Sequence, residues 1–109
     1  MKAVYWTPEA RMRLKEIQDF IIGQDAPQAA NRVVTTLLSR TRQLETAPLS
    51  GRKISDYPDD ELRELLEQPY RIIYRVTEQQ LEILTVMHYR QLLPSTMKAL
   101  RLVHTKTEA

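Results

Sequence analysis

The stretch YRIIYRV at residues 70–76 decides the fold, read with LEILTVM at 81–87 and the four residues TEQQ between them. In YRIIYRV, Tyr70, Ile72, Tyr74 and Val76 fall on one side of an extended chain, and Arg71, Ile73 and Arg75 on the other. That period of two is what a strand requires. LEILTVM is apolar on both sides, as a central strand would be. Thr77 to Gln80 is short enough to be a hairpin connection. Upstream, Glu61–Leu66 (ELRELL) is a third strand candidate, and Met1–Trp6 (MKAVYW), short and β-prone, is a fourth.

Between the first strand and the other three the period is helical. Thr7-Pro8-Glu9 marks a helix start, with Thr as N-cap, Pro at the first helical position and an acid facing the positive end of the helix dipole. Ala10, Leu14, Ile17 and Ile21 form the inner stripe, which Phe20 is expected to widen. Gly23 is expected to close this helix as its C′ residue. Asp25-Ala26-Pro27 opens a second helix, with Ala30, Val33, Val34, Leu37, Leu38 and Leu44 inward. Ala47-Pro48 ends it. From there to Asp60 there is no periodicity, which predicts a loop of about a dozen residues.

The element order is therefore β-α-α-β-β-β, an α+β domain. A helical hairpin packs on one face of a small, mostly antiparallel sheet. Residues 1–94 form this single domain, and 95–109, polar and basic, form a C-terminal tail or short helix. The other sheet face is left to Arg63, Arg71 and Arg75, with His88 at the strand exit.

Composition removes several function classes. Of 109 residues, none is Cys and only two are Gly. A disulfide framework, a thiolate metal site, a Cys nucleophile and a Gly-rich phosphate loop are all excluded. No apolar run is long enough for a membrane span, so the expectation is a soluble, cytoplasmic chain with no cofactor and no metal. Sixteen Lys+Arg against fourteen Asp+Glu leave a net charge of +2, too weak to announce nucleic-acid binding. Residues 47–91 carry six basic and eight acidic residues. Any anion-binding patch there must come from the placement of a few Arg.

In VYWTPEA (4–10), APLSGR (47–52), ELREL (61–65), YRIIYRV and ILTVMHYRQLLP (83–94), the sequence resembles the RelE/ParE superfamily of type II toxin–antitoxin toxins. The resemblance spans residues 4–94. It implies a last strand parallel to the first, and a cognate antitoxin of ribbon-helix-helix type through which operator DNA is contacted only indirectly. RelE-like members cut messenger RNA on the ribosome, whereas ParE-like members poison DNA gyrase. Arg63 in ELREL, the YRIIYRV strand, and His88 two residues before Arg90 are closer to ParE. The net negative sheet half argues against docking on ribosomal RNA. The resemblance thus implies a gyrase-directed toxin. The alternatives are a ribosome-dependent endoribonuclease and an inactive antitoxin-binding module.

The candidate site residues admit more than one role. As a nuclease, Arg63 and Arg71 would clamp a scissile phosphate while His88 or Tyr89 moved protons, without a metal. As a binding surface, Arg63, Arg71, Arg75, Arg90 and Lys53 would meet a protein partner. As structure, the Arg would pair with Glu61, Glu64, Glu67 and Glu82 on neighbouring strands, and His88 would cap the end of its strand.

Overall fold

The computed structural model describes residues 2–54 and 61–89. The elements are β1 (Ala3–Trp6), α1 (Pro8–Gly23), α2 (Pro27–Arg42), a 3₁₀ turn (Gln43–Glu45), β2 (Arg52–Lys53), β3 (Leu62–Glu67), β4 (Tyr70–Val76) and β5 (Gln80–His88). They form a five-stranded sheet in the order β1-β5-β4-β3-β2. Only β1 and β5 run parallel. The two helices cover one face, as expected. β2 is the addition: the stretch expected to be loop supplies a two-residue strand that pairs with Arg63 and Glu64 of β3. The tail expected at residues 95–109, and Arg90 with it, lie outside the described residues.

The start of α1 is fixed by Thr7. Its hydroxyl accepts from the Ala10 N–H at 3.2 Å and donates to the Ile83 carbonyl at 2.8 Å. One buried side chain thus caps the helix and ties it to β5. Thr7→Val keeps the shape but loses the hydroxyl, and should lower unfolding stability by about 1–2 kcal/mol in chemical denaturation.

The helix end differs from the expectation. Gly23 lies inside α1, and the left-handed residue in the turn is Asp25, with φ 61°. Asp tolerates that region, so glycine is not required there. Phe20 also departs: it is 66% exposed and adds nothing to the inner stripe.

The main core lies between helices and sheet. Ala10, Leu37, Leu44, Leu65, Ile72, Tyr74, Leu81, Ile83 and Val86 are buried there, with Val4, Trp6, Leu14 and Ile17 packed at the margin. A smaller cluster of Ile54, Leu62, Ile73 and Leu84 lies on the opposite face, with Met87 beside it.

One irregularity governs which residues share a face. Ile73 pairs with Thr85 and Tyr74 pairs with Ile83, so Leu84 is an extra residue in β5, a β-bulge. Beyond it, side chains of β5 change sides relative to a regular strand. Val86 joins the helix-side core, and Met87 joins the opposite cluster.

Candidate functional site

The face away from the helices carries the two Arg of β4, each held by a carboxylate. Arg71 donates from Nε to Glu64 Oε2 at 2.9 Å, and Arg52 of β2 meets the other oxygen of the same carboxylate. The Glu64 side chain is only 1% exposed, Arg71 is 15% and Arg52 is 73%. Burial pushes the Glu64 carboxyl up, but the hydrogen bonds and charges of Arg71 and Arg52 outweigh it and hold the group below its ordinary value. Arg75 donates from Nε to Glu82 Oε1 at 3.0 Å. Cross-strand ion pairing, the structural alternative, is therefore realised for both.

Arg63 corrects the sequence expectation. It is the register partner of Tyr74, whose ring lies in the helix-side core, so Arg63 is on the face opposite Arg71 and Arg75. There it donates to the Gly51 carbonyl at 2.9 Å and the Leu49 carbonyl at 3.3 Å. The Tyr74 hydroxyl completes the arrangement, donating to the Pro48 carbonyl at 2.8 Å and accepting from the Gly51 N–H at 2.9 Å. Burial raises the Tyr74 pKa, more than the Gly51 N–H and the Arg63 charge lower it, so the phenol keeps the proton it donates. Two side chains of adjacent strands thus clasp residues 48–51 against the sheet. Glycine is needed at 51, since a Cβ there would sit 2.5 Å from the Tyr74 hydroxyl and 2.8 Å from the Glu64 carbonyl.

His88 is also displaced from the Arg face. It is the register partner of Tyr70, with ring centroids 6.3 Å apart in an edge-to-face arrangement. Tyr89 stacks on His88 at 5.2 Å, and its N–H donates to the Pro69 carbonyl at 2.7 Å. The bulge at Leu84 is the cause, since without it His88 would fall on the side of Glu82. Lys53, half exposed, is 3.3 Å from Glu61. Arg90 lies outside the described residues.

The nuclease constellation is consequently not assembled. Arg71 is on one face, while Arg63 and His88 are on the other. Those two are also separated by the span from Tyr74 to Tyr70, about 13 Å along the strand at ~3.3 Å per residue. No single phosphate reaches all three. Among the described residues no three His, Asp or Glu side chains converge as a metal would need, and no helix is long and apolar enough to cross a membrane. The clasp on residues 48–51 and the second cation on Glu64 were not foreseen. The APLSGR stretch, containing both Gly51 and Arg52, was the available signal.

Residues 4–93 match the family described as ParE toxin of type II toxin–antitoxin system, parDE. A curated relative from Sinorhizobium fredii, the candidate toxin Y4kP, is 40% identical over 96 residues, covering 88% of this chain and 97% of that protein. The solved structure of a chromosomal ParDE toxin–antitoxin system from P. aeruginosa superposes with a TM-score of 0.69 at 25% identity, covering 81% of this chain and 96% of that one.

Proposed function

Since the chain belongs to the ParE toxin family of type II toxin–antitoxin systems, we propose that it acts on DNA gyrase, blocks replication, and is held inactive in the cytoplasm by a cognate antitoxin. The observation that carries the choice of target is the dispersal of Arg63, Arg71 and His88 over two faces of the sheet. Self-cleavage of RNA through its 2′-hydroxyl needs a base, an acid and an anion clamp within reach of one phosphate. Here Arg71 is engaged with Glu64 and Arg63 with two loop carbonyls. A poison needs no such cluster, only a surface that grips its target.

The purified chain should abolish supercoiling by gyrase and accumulate gyrase–DNA complexes with cleaved strands. The protein encoded by the adjacent reading frame, acting as antitoxin, should restore supercoiling when added first. His88→Ala should leave the trapping unchanged, because the side chain performs no chemistry in this reading. Untouched supercoiling together with messenger cut at the ribosome would replace the proposal with the endoribonuclease. Normal growth on expression without the antitoxin would leave only a binding module.

A further inference from the structure

Leu49 stands 62% exposed at the top of the clasped loop. A solitary exposed leucine is ordinary on a protein surface. What sets this one apart is the backbone that carries it. Pro48 and Leu49 are the central residues of a β-turn, closed by the Ser50 N–H donating to the Ala47 carbonyl at 3.1 Å. Proline fixes φ at the first of the two. The Pro48 carbonyl is held by the Tyr74 hydroxyl, and those of Leu49 and Gly51 by the Arg63 guanidinium. Ala47 is tied as well, its N–H donating to the Gln43 carbonyl at 3.2 Å. Turns favour Asp, Asn, Ser or Gly, so neither turn chemistry nor the core asks for a leucine at this position.

The surroundings of the turn are basic. Residues 47–53 contain Arg52 and Lys53 and no acid. Both cations are mostly exposed, and Arg63 stands against the Leu49 carbonyl. Glu64 answers Arg52 from a buried position, and Glu61 lies beside Lys53. An apolar side chain is thus presented on a rigid convex turn with cations beside it.

We infer that Leu49 is the anchor by which the chain grips its target, entering an apolar pocket with acidic groups at its rim on a folded protein. This rests on the reading of gyrase as the target and names the surface of contact. A convex turn needs a pocket already formed in its partner, which a peptide laid along the surface does not offer. Nucleic acid would offer phosphates to Arg52 and Lys53 but nothing to the leucine that leads them. Because the turn is ordered before contact, binding orders little that was free, and burial of the side chain is retained as affinity.

The test is to measure gyrase binding, accumulation of cleaved complexes and antitoxin binding in parallel, on the full chain and its variants. Leu49→Asp should weaken gyrase binding by about 100-fold and Leu49→Ala by about tenfold, with Leu49→Met within about threefold of the parent. All three should keep the parent Tm, since the side chain lies mostly in solvent, and should bind antitoxin within about twofold of the parent. Tyr74→Phe keeps the leucine and loosens the turn, and should weaken gyrase binding by about three- to tenfold. Lys53→Gln should slow association at low salt and leave dissociation unchanged. A Leu49→Asp chain that binds and traps gyrase like its parent overturns the inference and leaves the target standing. A parent that neither binds gyrase nor traps cleaved complexes overturns the target, and the inference with it. Affinity that responds to Lys53→Gln but not to Leu49→Asp marks a contact with DNA, and loss of antitoxin binding in Leu49→Asp marks the turn as the antitoxin's; either result overturns the inference.

Discussion

Gly51→Ala should destabilise the domain by about 2–4 kcal/mol, through overpacking together with the loss of a buried hydrogen bond. The added Cβ meets the Tyr74 hydroxyl at 2.5 Å, Cε1 at 2.6 Å and the Glu64 carbonyl at 2.8 Å. Tyr74 has nowhere to go, because its ring is fully buried among the residues between helices and sheet. The Glu64 carbonyl is strand backbone and is equally fixed. Relief therefore requires the loop to lift, which breaks the hydroxyl bonds to Pro48 and Gly51 and the two bonds from Arg63. Thermal unfolding followed by circular dichroism checks it, with a fall in Tm of about 10–25 °C for a domain of this size. Tyr74→Phe is the control, since it loses the hydroxyl bonds without adding bulk, and should cost only about 1–3 kcal/mol. Adding Tyr74→Phe to Gly51→Ala should recover part of the loss, because one of the three close approaches disappears. A Gly51→Ala protein as stable as its parent would show that residues 48–51 are not clasped in solution.

Glu64→Ala should be larger still, about 3–5 kcal/mol, the range for removing one partner of a buried ion pair. The carboxylate lies between two guanidiniums, and Arg71 is held well inside the surface. Without Glu64 its charge loses a counter-ion that supports its burial. A pH dependence follows from the same group. Glu64 titrates lower in the folded chain than in the unfolded one, where a Glu has a pKa near ~4.3. Its contribution to stability is therefore complete above that unfolded value. It is lost as pH falls through the lowered, folded value, because protons then bind the unfolded chain preferentially. Glu64→Gln keeps the side-chain shape and removes the titration. Urea unfolding of parent and Glu64→Gln should differ most near neutral pH and converge in acid. A constant gap across that range would exclude the two-guanidinium account.

The elements were legible because their causes are local. Thr7-Pro8 starts a helix by capping, and the period of two in residues 70–76 holds whatever surrounds it. Which face a residue occupies is set by pairing between strands, and that is why Arg63 was misplaced. Its own strand alternates correctly, but the phase of β3 against β4 comes from the connection through Gln68 and Pro69. The pairing Arg63↔Tyr74 puts it with the core residues. His88 was hidden by the bulge at Leu84, since a run that is apolar on both sides does not announce an extra residue in its middle. Phe20 failed for another reason: an apolar residue on the shoulder of a helical stripe is buried only if a neighbour lies over it. The ion pairs of Arg71 and Arg75 were foreseen as a class, because charges of opposite sign on adjacent strands recur at matching positions. The double engagement of Glu64 was not, as it depends on β2 forming at all.

The bulge at Leu84 acts as a one-letter frameshift in three dimensions. Every side chain after it is read out on the reverse side of the sheet, while the backbone continues along the same line. Deleting a single residue there would exchange what Met87 and His88 present, inverting the chemistry of the strand exit without altering either letter. Two chains of this architecture could therefore carry the same His-Tyr pair at the end of the last strand and display it to opposite surroundings. Identity of letters at that position is no guide to shared chemistry until the count of residues before it has been matched.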